Sequence, residues 1–148
     1  MSKAYTLIEL LIVIGVLAIL TGLASLSLVS FGKASDTETS KTIISGALQE
    51  ARANSMADVD DKIWGLHFES ERVIIFADSG SGYNPSSPTN SVRLIASHNT
   101  IAWQLNGGGA NLEFAKRTGG TANYGEITIT GQSSAVKSIT INSQGAIE

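Results

Sequence analysis

A single carboxylate near the start of the chain, that of Glu9, precedes a long stretch of apolar residues. The segment from Leu10 to Gly32 has 23 residues and no charged side chain, and Lys3 is the only basic residue before it. An acidic group held in hydrocarbon needs a partner, so an ionisable residue at such a position is a candidate functional site. If the chain were cut between Ala4 and Tyr5, the new α-amino group would lie one helical turn from Glu9 and carry the opposite charge.

Other side chains that could do chemistry are scattered along the chain. His67 lies in an alternating strand pattern and His98 in a turn, with no nucleophile or acid tied to either, so the sequence predicts no catalytic residues and no enzyme. The absence of cysteine excludes a thiol nucleophile and a disulfide framework. The segment Asn106–Gly109 lacks the lysine and the following helix of a phosphate-binding loop and is predicted to be a flexible hairpin.

Two oxygen-rich stretches are the candidates for calcium, namely Asp58 with Asp60 and Asp61, and the segment Asp78–Asn84. Neither has the spacing of a known calcium loop, so the prediction is that the chain holds no metal and no cofactor. The pair Lys116–Arg117 is the one adjacent basic pair in a chain of net charge −3. Because binding to nucleic acid needs several clustered cations, no nucleic-acid partner is expected.

The apolar segment allows three interpretations. As a helix it would be about 34 Å long, enough to cross the hydrocarbon core of a bilayer. It could be a plain membrane anchor, or a secretory signal peptide with Leu10–Leu20 as the apolar region and a cleavage site at Gly22–Ala24. It could also follow a leader that is removed ahead of the helix. The acidic Glu9 favours the third interpretation, because the charged end of a secretory signal is basic.

The N-terminal motif carries a resemblance to a known family. Ala4 followed by Tyr-Thr-Leu-Ile-Glu-Leu-Leu and an Ile/Val/Leu run closely resembles the N-terminus of type IV pilins and type II secretion pseudopilins. The resemblance implies a leader of residues 1–4 that a prepilin peptidase cuts at Ala4/Tyr5, N-methylation of Tyr5 and an assembly role for Glu9. The family usually has Gly before the cut and Phe after it, where this chain has Ala4 and Tyr5.

The resemblance also implies where the protein works and what it meets. The chain would cross the inner membrane once with its head outside the cytoplasm, and then enter a pilus or pseudopilus. Its expected partners are the prepilin peptidase, other pilin or pseudopilin subunits and the inner-membrane assembly platform. The Glu9 carboxylate could pair with the Tyr5 amine of its own chain. In a stack of subunits it could instead meet the amine of a neighbour, as the resemblance implies.

The residues after Gly32 turn polar but keep a helical stripe, made of Ile44, Ala47, Leu48, Ala51 and Ser55. The sequence therefore predicts one long helix from about Tyr5 to Met56, with residues 5–32 as the transmembrane and assembly helix. The remaining region, residues 33–148, is predicted to hold the amphipathic half of the helix and a β-rich head.

Beyond Met56 the apolar residues alternate with polar ones, which predicts about seven strands. The first predicted pair is Trp64–Phe68 with Val73–Ala77, and the second is Val92–Ala96 with Ile101–Leu105, joined by a turn at Ser97–Asn99. Further strands are predicted at Leu112–Phe114, Glu126–Thr130 and Val136–Asn142. The longest loop, Asp78–Ser91, holds both prolines, and loops of that length are usually functional or disordered.

The predicted fold is therefore α+β and pilin-like, with one long N-terminal helix packed on an antiparallel β-sheet head. The segments Leu48–Ala53 and Ser138–Gly145 resemble the H-type minor pseudopilins and related minor pilins, whose heads contain two packed sheets. The predicted function is that of a structural subunit of a type IV pilus-like filament or a type II secretion pseudopilus. The alternative is a secreted or membrane-anchored β-domain that binds a ligand and has an ordinary signal peptide.

Overall fold

The computed structural model describes residues 6–132 and 135–148, without the side chains of residues 23–34. Its first element is a single helix, α1, Leu7–Met56, of 50 residues. At 1.5 Å per residue such a helix is about 75 Å long. The predicted long helix is confirmed, and the predicted leader and Tyr5 lie outside the described residues.

The head that follows α1 consists of seven strands after a short 3-10 turn, Val59–Asp61. The strands are β1 Ile63–Phe68, β2 Arg72–Asp78, β3 Ser91–Leu94, β4 Thr100–Leu105, β5 Asn111–Phe114, β6 Gly125–Thr130 and β7 Val136–Ile141. They form a four-stranded sheet in the order β3-β2-β1-β5 and a three-stranded sheet in the order β4-β6-β7, and every strand pair is antiparallel. The α+β, pilin-like arrangement predicted from the sequence is confirmed.

Two predicted hairpins are wrong. The strands β3 and β4 do not pair with each other, because β3 pairs with β2 and β4 pairs with β6 in the other sheet. The connection between them contains a turn, closed by the hydrogen bond from the Asn99 backbone N–H to the Ala96 carbonyl at 2.9 Å, and is tied to α1. The Asn99 side-chain amide donates to Ser40 Oγ at 2.7 Å and to the Asp36 carbonyl at 3.0 Å. The segment Asn106–Gly109 likewise links the two sheets and is not a hairpin.

The core lies where α1 packs against strands of both sheets. The predicted helical stripe is buried along its whole length, with Ile44, Leu48 and Ala51 fully inaccessible to solvent. The strands contribute their inward-facing residues, which are Leu66, Phe68, Val73, Ile75, Leu112 and Phe114 from the four-stranded sheet and Ile101, Leu105, Ile127, Ile129, Ile139 and Ile141 from the other. Alternation along each strand supplies this apolar face, as period-two patterning requires.

The outer face of the four-stranded sheet carries a second, smaller apolar cluster. Ile74 and Phe76 are buried there, away from α1, and the loop of residues 79–90 folds back over them. Tyr83 from this loop stacks on His67 at 4.0 Å between ring centroids and meets Phe76 edge-on at 5.4 Å. Gly65 makes room for the Phe76 ring, since a Cβ there would lie 2.9 Å from its Cζ.

Candidate assembly site

The helix begins at a cap that includes Glu9. Thr6 has an extended backbone and its hydroxyl accepts a hydrogen bond from the Glu9 backbone N–H at 3.3 Å. Thr6-Leu7-Ile8-Glu9 has the T-x-x-E spacing of a capping box, in which an acidic residue three positions after the cap is favoured. This role of Thr6 was missed in the sequence analysis, although the spacing signals it. Glu9 also lies in the first turn, where a negative charge is stabilised by the helix dipole.

The first turns of α1 expose apolar side chains on every side. The exposed group comprises Leu7, Ile8, Leu10, Leu11, Ile12, Val13, Ile14, Val16, Leu17, Ile19 and Leu20, each at least 51% accessible to solvent. A helix that is apolar all round is normally buried, either in a large core or in a membrane. Contiguous exposed apolar surface of this kind marks an interaction surface. Glu9 is exposed within this segment.

The predicted transmembrane segment, residues 5–32, extends into residues 23–32, whose side chains lie outside the described part of the structure. Within the described residues, no helix combines the length and the apolar character needed to span a bilayer.

The C-terminal end of α1 is held in the head by the buried hydroxyl of Ser55. It accepts a hydrogen bond from the Trp64 backbone N–H and donates to the Phe114 carbonyl, both at 2.9 Å. The Ser55 carbonyl in turn accepts from the Arg117 backbone N–H at 2.9 Å. One fully buried residue of α1 thereby joins β1, β5 and the loop after β5.

Arg52 fixes the same end of the helix to the C-terminal region. Its Nε donates to the Gly119 carbonyl at 3.2 Å and its guanidinium also donates to the Gln144 carbonyl at 3.3 Å. Gly145 has φ +74°, and a Cβ there would lie 1.9 Å from the Gly119 carbonyl oxygen. The segments Leu48–Ala53 and Ser138–Gly145 therefore meet in space, at Arg52 and Gln144.

Further ties lie nearer to the exposed part of α1. Ser40 is buried, and its hydroxyl accepts from the Ala96 backbone N–H at 3.2 Å. Glu38 pairs with Lys137 of β7 at 2.9 Å, and the hydrogen bond and charge of Lys137 lower the pKa of this carboxyl. Glu50 pairs with Arg93 of β3 at 3.1 Å. Because contacts run from Asp36 to Ser55, the second half of α1 is a fixed part of the head.

The first calcium candidate is occupied by cations of the chain itself. Asp58 pairs with Arg117 at 2.8 Å, and Asp61 pairs with Lys116 at 2.7 Å. The hydrogen bond and charge of Lys116 lower the pKa of the Asp61 carboxyl. The one adjacent basic pair thus faces carboxylates, and Asp60 is exposed beside them.

The second calcium candidate folds around one carboxylate. Asp78 accepts hydrogen bonds from the backbone N–H of Gly80 at 2.8 Å and of Gly82 at 2.7 Å. Burial alone would raise the pKa of this carboxyl, but these backbone donors outweigh it and lower the pKa. Among the described residues, no three His, Cys, Asp or Glu side chains are grouped as a metal site.

The two histidines lie apart from each other. His67 is half-buried, with Nδ1 at 2.6 Å from Asn111 Oδ1 and Tyr83 stacked on its ring, whereas His98 is exposed in the connection between the sheets. Glu113 of β5 lies on the same outer face as His67, and burial together with the charge of Asp78 raises the pKa of its carboxyl.

Comparison with protein families found one match at the N-terminus. Residues 1–25 match the family described as the prokaryotic N-terminal methylation motif. This motif is the hallmark of type IV pilins and pseudopilins, so the resemblance drawn from the residues around Glu9 is confirmed. It supports a type IV pilin-like or pseudopilin-like subunit and names no subtype. No curated protein and no solved structure matches the chain.

Proposed function

We propose that this protein is a structural subunit of a type IV pilus-like filament or a type II secretion pseudopilus. The observation that carries the proposal is the helix start, where a methylation motif coincides with an exposed, all-round apolar surface that includes one carboxylate. The chain would be cut at Ala4/Tyr5, methylated on Tyr5, and held in the inner membrane until it joins the filament. No catalytic activity is part of this function.

The apolar surface of the helix has to stay out of water, since burying one large apolar side chain is favourable by about 1.5–3 kcal/mol relative to leaving it in water, and the first turns expose many of them. The membrane and a bundle of helices both meet this requirement, so the step from lipid into the filament is driven by close packing and polar contacts between helices. In a bundle of such helices the apolar surface is buried against neighbouring subunits. Since the second half of α1 is fixed to the head, a defined helix packing would also fix the heads on the outside.

Glu9 gives this assembly its register. Apolar helices can slide and rotate against one another, whereas a carboxylate in an apolar bundle requires one particular partner. The new amine on Tyr5 of a neighbouring subunit has the required charge. A subunit without this carboxylate would still enter the membrane but would lack the contact that selects its position in the filament.

The processing step is tested by N-terminal sequencing and intact mass of the protein recovered from its host. The expected mature protein starts at Tyr5 with a methylated amine and is found in the membrane and in sheared filaments. A start at Ser25 would support the secreted β-domain instead, and a retained Met1 would support a plain anchor. Either of these two results would contradict the proposal.

The role of Glu9 is tested with matched variants of the same helix. Glu9→Ala and Glu9→Gln are expected to accumulate in the membrane and to be absent from sheared filaments. Glu38→Gln is the control, because it removes an exposed glutamate charge that pairs only with the head. Thr6→Ala removes the helix cap and keeps the Glu9 charge, so it separates capping from charge. Normal incorporation of Glu9→Ala would contradict the assembly role.

A further inference from the structure

A cavity of about 880 Å³ opens beside the turn that connects β1 to β2. It lies in the size range of binding pockets, about 300–1,000 Å³. Trp103 and Ala110 give it apolar walls, and the buried ring of Phe68 stacks behind Trp103 at 5.9 Å between centroids. Leu94 lies at its rim and is 68% accessible to solvent. The cavity is thus an aromatic groove that is open to solvent on one side.

The edge of β4 borders this groove, and the backbone N–H and C=O of Trp103 at this edge have no partner strand in the part of the chain that the structure describes. The strand is the outermost one of its sheet, and its Ile101 N–H points away from β6 to donate to the Ser70 carbonyl at 2.8 Å. The Leu105 carbonyl points to the same side and accepts from Gly108 N–H at 3.0 Å. Since hydrogen-bonding directions alternate along a strand, the N–H and C=O of Trp103 also point to this side. No strand of the described chain pairs with them.

The rim of the groove has an unbalanced negative charge. Glu69 pairs with Arg72 at 2.7 Å, so its charge is matched within the turn. Glu71 also lines the groove, is exposed, and has no ion-pair partner among the described residues. A cationic side chain of a bound partner would find Glu71 available.

We propose that this groove binds an extended segment of another protein, which adds as a strand to the edge of β4 at Trp103. Strand addition uses main-chain hydrogen bonds for affinity and pockets for alternate side chains for specificity. The groove offers both, with the Trp103 backbone as the pairing edge and the half-buried Trp103 ring, backed by Phe68, as the wall of the pocket. The segment it fits has apolar side chains at alternate positions and a lysine or arginine that reaches Glu71.

The backbone chemistry favours this occupant over others. A helical partner satisfies its own backbone groups and would leave those of Trp103 unpaired, whereas an extended peptide presents N–H and C=O groups at the matching spacing. The inference does not depend on assembly through Glu9, because the groove belongs to the head.

The test uses the full chain in detergent micelles and a short blocked peptide of alternating valine and serine with one lysine. Saturable binding, measured by fluorescence anisotropy of the labelled peptide, is expected together with slower hydrogen exchange at the Trp103 and Leu105 amides. N-methylation of the peptide backbone opposite Trp103 should weaken binding about tenfold, because it removes a main-chain hydrogen bond. This control leaves the protein unaltered, so protein folding cannot explain the loss.

A charge exchange tests the contact with Glu71. Replacing the peptide lysine by glutamate should weaken binding about two- to fivefold, and the Glu71→Lys variant should reverse this preference. Absence of saturable binding up to about 1 mM, or equal binding of the N-methylated peptide, would overturn the proposal. Unchanged exchange at Trp103 would overturn it as well. A peptide that only dissociates a dimer of the chain would make a second copy the occupant and overturn the choice of partner.

Discussion

The guanidinium of Arg52 and the backbone of Gly145 are packed so closely that a Cβ on Gly145 would lie 3.1 Å from Arg52 Nε. The same Cβ would lie 1.9 Å from the Gly119 carbonyl oxygen, which accepts a hydrogen bond from Arg52. The C-terminal end of α1, the loop after β5 and the C-terminal region therefore pack against one another at this point. The contact, together with the positive φ, explains why residue 145 is a glycine.

We expect Gly145→Ala to lower the free energy of unfolding of the head more than its backbone conformation alone would require. A non-glycine residue in the left-handed region costs about 1–2 kcal/mol, and the clash with the Gly119 carbonyl adds to that cost. Gly108→Ala is the matched control, because Gly108 has φ +71° and no atom within 4 Å of its added Cβ. Chemical denaturation of both variants measures the difference, and equal losses would contradict the close contact.

The sequence predicts the features that depend on residues close together in the chain, and it does not predict the contacts between distant residues. The stripe from Ile44 to Ser55 is a local repeat, and it predicted the buried face of α1 correctly. Alternation likewise predicted the strands, because a half-buried strand must alternate, although β2 has four consecutive buried residues, Val73 to Phe76, and is covered on both faces. Strand partners are a non-local property, however, and Ser97–Asn99 has turn chemistry whether it closes a hairpin or crosses between sheets. The contact of Arg52 with Gly119 and Gln144 spans 67 and 92 residues, beyond any pattern in a single sequence.

The candidate sites likewise include some residues that the local sequence predicts and others that only the fold brings together. Glu9 was predicted from its chemistry, since a lone carboxylate beside an apolar segment is conspicuous in a sequence, and its assembly role stays a prediction. The cap on Thr6 was equally readable from the T-x-x-E spacing. The groove beside Trp103 could not be predicted, because it requires knowing that β4 is an edge strand and that the β1–β2 turn lies next to it.

Ser55→Ala should destabilise the head because it removes the shared partner of two buried backbone groups. The Trp64 N–H and the Phe114 carbonyl would each lose a hydrogen bond at 2.9 Å. Leaving a buried polar group unpaired costs about 1–3 kcal/mol. Thr42→Ala serves as the control, since Thr42 is exposed and its hydroxyl bonds only to the Glu38 carbonyl of the same helix. Thermal unfolding should separate the two variants, and similar melting temperatures would be evidence against the Ser55 junction.

Tyr83→Ala should release the loop of residues 79–90 from the outer face of the four-stranded sheet. The Tyr83 ring stacks on His67 and meets Phe76 edge-on, and aromatic pairs contribute about 0.5–1.5 kcal/mol beyond their buried area. We expect faster cleavage within this loop by a nonspecific protease, with the rest of the head still resistant. Tyr124→Ala removes an exposed tyrosine elsewhere and should leave the rate unchanged. A loop as resistant in Tyr83→Ala as in the parent would contradict the stacking role.

Glu113 should make the head less stable as the pH rises. Burial and the charge of Asp78 raise the pKa of its carboxyl in the folded state, so above the unfolded pKa the folded state holds the proton more tightly than the unfolded state. The contribution of this group to the free energy of unfolding therefore falls as the pH rises from the unfolded pKa through the folded pKa. Below that window both states are protonated and the group has no effect on stability.

Glu113→Gln removes this titration, so we expect it to raise the melting temperature at neutral pH and to leave it nearly unchanged in acid. Asp61→Asn is the control, and the pH dependence of its effect on stability should have the opposite sign. Because Lys116 lowers the pKa of Asp61 in the folded state, the contribution of that carboxylate to stability is complete above its unfolded pKa and is lost as the pH falls through the folded pKa. The effect should be small, since Asp61 is exposed. Melting curves of both variants from about pH 2 to pH 8 compare the two signs, because the Asp61 window lies below the ordinary pKa of an aspartate and the Glu113 window lies above that of a glutamate. A stabilisation by Glu113→Gln that is as large in acid as at neutral pH would rule out the titration as its cause.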